Sequence, residues 1–214
     1  MKTAAPPDPL DALDALGKLR AFVQDMTRLI EHAGPDEDRI LTAGQALMES
    51  LVADDDWLPD AFAEPHPEHY RQYLLHCDPF ERFSVVSFVW GPGQFTPVHD
   101  HTVWGVIGML RGAELCRNYA RAEAGGALRP AGELRLAPGD VTVVSPTVGD
   151  IHAVSNALTD RPSISIHAYG AKIGAVSRHV FDPETGAEKP FVSGYAGATV
   201  PNLWDRSARV RASL

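Results

Sequence analysis

The sequence predicts a β-sandwich or barrel that carries a layer of helices at its N-terminal end. Two observations lead to this expectation. Between Leu10 and Val52 the apolar residues recur at helical spacing, and from Phe83 the pattern changes to short β-branched and aromatic runs. Those runs are separated by Gly, Pro and Asp turn signals, with no further helices between them. The chain has 214 residues, 44% of them apolar and 22% charged, which suits one domain with a substantial core.

Taken in order, residues 1–9 are Pro-rich and expected to fray. Leu10, Leu13, Leu16, Leu19, Phe22, Val23, Met26, Leu29 and Ile30 mark a first helix, with Asp8 or Asp11 near its start and Gly34-Pro35 at its end. A second helix is expected over 36–52, burying Ile40, Leu47, Met48, Leu51 and Val52. Trp57-Leu58-Pro59 breaks that pattern, and Pro67 is placed in the first turn of a short helix through Tyr70, Leu74 and Leu75. Strands are expected over 84–90, 103–110, 113–119, 133–136, 141–144, 152–155, 163–169 and 177–181. The expected organisation is a single domain over 1–214, with a helical layer over 1–80, the barrel over 81–200 and a tail over 201–214 whose Trp204 docks on the barrel.

The formal net charge is −9, and no Lys/Arg cluster stands out. This argues against nucleic acid or an anionic membrane as partner, and nothing in the sequence points to a protein partner. Residues 1–8 lack the apolar stretch of a signal peptide, and no run of about 18 apolar residues could span a membrane. Cys77 and Cys116 are the two cysteines, too few for a disulfide framework; both read as small buried hydrophobes, and the cytosol is the expected compartment.

The chemistry centres on Gly93-Gln94-Phe95-Thr96-Pro97-Val98-His99-Asp100-His101. On a strand, residues two apart share a face, so His99 and His101 project side by side and Asp100 points away. A third imidazole, His152, stands in Pro146-Thr147-Val148-Gly149-Asp150-Ile151-His152. The two stretches resemble the paired motifs of the cupin superfamily: Gly93, His99, His101 and Gly112 in the first, Pro146, Gly149, His152 and Asn156 in the second. The resemblance implies a cupin β-barrel, a jelly-roll-like double-stranded β-helix, with His99, His101 and His152 holding a metal. Gly105 stands where cupins place a glutamate ligand, so three neutral nitrogens would leave a divalent ion uncompensated. Such a site favours an anionic substrate.

Ser165, His167 and Tyr169 alternate with Ile164, Ile166 and Ala168 and share one strand face. Facing the barrel interior, they would line the metal cavity; facing solvent, they would leave the aliphatic residues as the buried side. With the three histidines, this strand makes the chain similar to the cysteine dioxygenase type I family. The resemblance runs from about Tyr70 to Tyr195 and implies a ferrous ion, Fe(2+), and a Ser-His-Tyr relay formed by Ser165, His167 and Tyr169. It also implies addition of both atoms of O2 to the sulfur of a small thiol carboxylate, giving the sulfinate.

Within that family the chain resembles the bacterial 3-mercaptopropionate dioxygenases more than the cysteine enzymes. Gly105 replaces the cysteine that cross-links to tyrosine in mammalian enzymes, so Tyr169 is expected unmodified. Gln72, in Tyr70-Arg71-Gln72, stands where the cysteine enzymes have a carboxylate-binding arginine. Arg178 is the expected clamp, with Arg71 and Arg82 as competitors. Cysteine and mercaptosuccinate remain alternative substrates, and a non-catalytic metal- or ligand-binding cupin is the alternative of another class. His32, His66, His69, His76 and His179 read as surface or structural residues, and Trp90 and Trp104 as core.

Overall fold

The computed structural model of the chain describes residues 9–122 and 126–203, and side chains from residue 16 onward. Within these residues the chain forms helices α1 (Pro9–Ala33) and α2 (Glu37–Val52), then strands β1 (Arg71–Cys77), β2 (Ser84–Trp90), β3 (Val98–His99), β4 (Gly105–Arg111), β5 (Glu114–Arg121) and β6 (Leu128–Leu136), followed by β7 (Val141–Val144), β8 (His152–Asn156), β9 (Ser163–Tyr169), β10 (Arg178–Phe181) and β11 (Glu188–Phe191). Two antiparallel sheets, ordered β1-β2-β9-β4-β7 and β11-β10-β3-β8-β5-β6, face each other. This is the cupin double-stranded β-helix with two helices at its N-terminus.

The helices form where the periodicity places them. In α1 the 3–4 spacing gathers Leu19, Phe22, Val23 and Met26 on one buried face. Asp36 caps α2 by accepting from the Arg39 N–H at 3.1 Å. Leu41, Met48, Leu51 and Val52 of α2 share a core with Val106, Leu110, Ile164 and Ile166 of the β4–β9 sheet. The contact is close at Gly108, where a Cβ would lie 2.6 Å from Met48 Cγ and 2.9 Å from Val52 Cγ1. At the other end of α2, Glu37 Oε1 accepts hydroxyl bonds from Ser145 and Thr147, tying the helix to the loop that leads into His152.

Three expectations need correction. The segment expected to be a short helix through Tyr70, Leu74 and Leu75 is strand β1, paired with β2 from Arg71↔Val89 to Cys77↔Ser84. Its Tyr73 and Leu75 enter the main core while Leu74 packs on the other side, a period of two that a pairing strand can satisfy. The barrel therefore begins at Arg71, not at residue 81. Strand β11 was not anticipated, because Glu188-Lys189-Pro190-Phe191 lacks strand composition; its backbone pairs with β10 at the sheet edge, where Pro190 is tolerated. Leu203 is buried, whereas Trp204 lies outside the described residues. Trp90 is 1% exposed as expected, but Trp104 is only partly buried at the edge of the core. No helix among the described residues is long and apolar enough to cross a membrane.

The seating of α2 on β4 gives a stability prediction. Gly108→Ala overpacks the contact with Met48 and Val52 and should lower stability by about 1–3 kcal/mol in urea unfolding. An unchanged midpoint would mean that α2 does not pack on this strand.

Candidate metal centre and the cavity around it

The barrel topology converts two separate sequence motifs into one cluster. β3 and β8 pair antiparallel with His99 opposite His152, so those imidazoles are cross-strand neighbours with ring centroids 4.9 Å apart. β3 ends at His99, so His101 lies two residues beyond the strand, yet its ring stands 5.0 Å from His99 and 4.8 Å from His152. One ligand nitrogen from each ring falls within 4.8 Å of the others, and all three residues are buried. Asp100 turns away as expected, accepting from the His179 N–H at 2.7 Å and lying 2.9 Å from its Nδ1.

Each Nδ1 has its own partner, which leaves the three Nε2 atoms for a common ligand. His99 Nδ1 lies 3.0 Å from the Pro97 carbonyl oxygen, His101 Nδ1 2.9 Å from Asp150 Oδ1, and His152 Nδ1 3.1 Å from Cys116 Sγ. Such partners fix the tautomer and the ring direction. Asp150 does more than orient one ring. It also accepts the backbone N–H groups of His101 (3.0 Å) and Thr102 (2.8 Å), holding Thr102 at φ 59, a left-handed conformation uncommon outside glycine. Burial alone would raise the Asp150 carboxyl, but the His101 ring and these N–H bonds bring it below the ordinary carboxylate value.

Burial, followed by the neighbouring His101, lowers His99 to about 3, and burial drives His152 well below its usual range. Both rings are therefore neutral near pH 7, with lone pairs available. Three buried, pre-oriented imidazoles without a carboxylate fit a first-row divalent ion that accepts nitrogen ligands and keeps positions open for other molecules. A second group, His66, Glu68 and His69, comes together outside this cavity with Glu68 and His69 exposed.

The face of β9 that carries Ser165, His167 and Tyr169 points inward, and all three residues are buried. Ser165 Oγ lies 2.7 Å from His167 Nε2, and His167 Nδ1 lies 2.7 Å from the Tyr169 hydroxyl. The Tyr169 ring stacks on His101 with centroids 5.2 Å apart, which brings the relay against the histidine cluster. Gly105 is the reason this fits. A Cβ there would lie 2.8 Å from Tyr169 Cε1 and 2.9 Å from Val144 Cγ2, so the position of the cupin glutamate is occupied by the tyrosine ring. Burial pushes the Tyr169 phenol far up, so it is a neutral hydrogen-bonding group.

His167, Tyr169 and the three clustered histidines line a cavity of about 160 Å³, also walled by Phe88, Trp90, Val154 and Phe191. Arg178 and Gln72 both line it. Arg178 is 3% exposed; its guanidinium carbon lies 4.7 Å over the Phe191 ring, its Nη2 donates to Ser193 Oγ at 2.7 Å, and its Nε has no hydrogen-bond partner among the described residues. The Gln72 amide N–H donates to Ser193 Oγ at 2.7 Å and to the Gly194 carbonyl. Arg71 instead bonds the Tyr73 hydroxyl, and Arg82 forms an ion pair with Asp78, so neither competing arginine reaches the cavity. The sequence reading missed Tyr70, which stacks on Trp90 at 4.6 Å in the cavity wall, and Asp150.

A buried cluster of three histidines inside a two-sheet barrel makes a candidate metal centre whose protein donors would all be nitrogens. Residues 18–183 match the family described as Cysteine dioxygenase type I, and the chain belongs to that family of non-haem iron thiol dioxygenases. The cysteine dioxygenase type 1 of Danio rerio is 26% identical over 146 residues, covering 66% of this chain and 70% of that one. Among solved structures, a protein with a double-stranded beta-helix domain from Klebsiella pneumoniae is 18% identical, covering 54% of this chain and 89% of that one with a TM-score of 0.40. A cupin superfamily protein from Desulfitobacterium hafniense is 14% identical, covering 51% of this chain and 84% of that one with a TM-score of 0.38.

Asp150→Asn keeps the shape but removes the charge that holds His101 and the Thr102 backbone. It should weaken iron binding roughly 10–100-fold, read as a shift in a chelator competition curve. His152→Ala should lose bound iron almost entirely in elemental analysis. Full occupancy in His152→Ala would remove that residue from the centre.

Proposed function

We propose that this cavity converts 3-mercaptopropionate and O2 to 3-sulfinopropionate. His99, His101 and His152 would hold a ferrous ion. The observation that carries the substrate assignment is Arg178: among the described residues, a buried guanidinium on the cavity wall with an N–H left free, in a lining that contains no carboxylate.

Iron, when bound, supplies the Lewis acidity and one-electron chemistry that dioxygen requires. The chain supplies the rest. Arg178 pairs with the substrate carboxylate through charge-assisted hydrogen bonds, and its stacking on Phe191 fixes the plane of the fork. That anchor leaves the thiol of a short chain directed at the histidine cluster. Tyr169 offers its hydroxyl to the reacting groups, held in place by His167, which Ser165 orients in turn. Phe88, Trp90, Val154 and Phe191 keep bulk water out, which strengthens every electrostatic contact inside. A cavity of about 160 Å³ suits a substrate much smaller than a drug-sized ligand.

Selection against cysteine follows from the lining. Asp150 and Asp100 are committed to His101 and His179, so a substrate ammonium would be buried without a partner. The preference for 3-mercaptopropionate over cysteine should appear in kcat/KM measured by oxygen uptake. Arg178→Ala should lower kcat/KM for carboxylate-bearing thiols by one to two decades, on the order of 1.5–3 kcal/mol, and narrow their lead over cysteamine. A higher kcat/KM for cysteine, or an equal loss for every thiol, would overturn this specificity.

Tyr169→Phe keeps the ring that stacks on His101 and removes only the hydroxyl. It should bind iron normally and turn over more slowly, by up to roughly 10²–10⁴-fold if the hydroxyl transfers a proton. Unchanged kcat with undiminished sulfinate yield would make the relay a scaffold.

A further inference from the structure

Glu114 is a buried carboxyl that the mechanism above does not use. It opens β5, between Leu136 of β6 and Asn156 of β8, and is 1% exposed. The route of the chain brings it to the inner end of the Ser165–His167–Tyr169 relay. β4 leaves its sheet at Gly112, where φ is +80 and a Cβ would lie 2.9 Å from the Pro162 oxygen and from Ser163 Cα. This close approach of backbone to β9 sets the next strand down with the Glu114 carboxyl beside the hydroxyls of Ser163, at 3.4 Å, and Ser165. The buried polar groups therefore run in series from Glu114 through Ser165 and His167 to Tyr169 at the cavity.

A chain of this kind has two directions. With Glu114 protonated, its O–H donates to Ser165 Oγ, the Ser165 O–H donates to His167 Nε2, and His167 Nδ1–H donates to the Tyr169 oxygen. The Tyr169 O–H is then free to point into the cavity. With Glu114 ionised, it accepts from the Ser165 O–H, Ser165 Oγ accepts from His167 Nε2–H, and Tyr169 donates backward to His167 Nδ1. The hydroxyl then offers the cavity only lone pairs. The two states differ by one proton, and the 2.7 Å separations of Ser165 from His167 and of His167 from Tyr169 fit both.

We propose that Glu114 is a positioning residue for the reaction: its carboxyl sets the direction of the hydrogen bonds through Ser165 and His167, and so decides whether Tyr169 is a donor or an acceptor toward the substrate. This rests on the reading of Tyr169 as the group that meets the substrate. The surroundings favour the donor state near neutrality. Burial, opposed only by the Ser165 and Ser163 hydroxyls, raises the Glu114 carboxyl to about 8. The titratable groups that interact with it are Cys116 on its own strand and Tyr169 on β9, and none of the influences on its carboxyl is a cation.

The test uses the iron-loaded protein and a variant, Glu114→Gln, whose side chain donates to Ser165 at every pH. In the wild type kcat should fall as pH rises through about 8, the value to which burial raises Glu114, and Glu114→Gln should lack that alkaline fall. A second readout needs no turnover and no variant. Infrared spectra of protein labelled with 13C-glutamate should show the carbonyl band of a protonated carboxylic acid at pH 7, lost on titration through the same range. Absence of that band at pH 7, or an unchanged alkaline fall in Glu114→Gln, overturns the proposal. Tyr169→Phe separates the two levels: full-rate turnover there refutes the reading of Tyr169, whereas slow Tyr169→Phe with an unaltered Glu114→Gln profile refutes only the role of Glu114.

Discussion

The structure depends on three imidazoles buried side by side, with ring centroids 4.8–5.0 Å apart. His99, His101 and His152 are buried, and each uses its Nδ1 on a different partner: a carbonyl, a carboxylate and a thiol. Nothing in the described protein competes for the converging Nε2 atoms. Burying three unpaired nitrogen acceptors is unfavourable unless a cation or water satisfies them. Folding therefore prepares a site whose stability is linked to metal, through RT ln(1 + [L]/Kd). The barrel makes this possible because β3 and β8 bring two motifs more than fifty residues apart in sequence, His99 and His152, into cross-strand register.

The second constraint is steric. Gly105 removes the fourth protein ligand and at the same time vacates the space that Tyr169 occupies. One substitution relative to the general cupin pattern thus changes both charge and shape. The centre loses an anion, and a phenol stacks on His101 in its place. The tyrosine is in turn the outer end of a line of polar groups along β9, through His167 to Ser165. Alternate residues of one strand serve the site, while Ile164, Ile166 and Ala168 on the opposite face seat the helices. The N-terminal layer supports the site from behind: α2 packs against β4, and Glu37 fastens the loop before His152.

Much of this was legible because it is encoded by spacing. His99, His101 and His152 were readable as one cluster of candidate ligands, and the alternation over Ser165, His167 and Tyr169 correctly announced a shared face, although only burial could show which face was inside. β1 was misread because Tyr70, Leu74 and Leu75 also fit a helical stripe, and the decisive fact, pairing with β2, is non-local. β11 escaped because its pairing partner and not its composition makes it a strand. Asp150 and Glu114 were overlooked for a common reason. A carboxylate in a loop or at a strand start reads as solvated, and only tertiary structure reveals one bonded to a ligand histidine and the other beside buried serines. The choice among Arg71, Arg82 and Arg178 likewise required knowing which arginines were already engaged.

As a thiol dioxygenase, the barrel brings a thiol and dioxygen together so that both oxygen atoms end on one sulfur. The most direct measurement is mass spectrometry of the product formed under 18O2 by the iron-reconstituted protein with 3-mercaptopropionate. The expected product is a sulfinate carrying two labelled oxygen atoms. A sulfinate with unlabelled oxygen, or disulfide as the sole product, would contradict it.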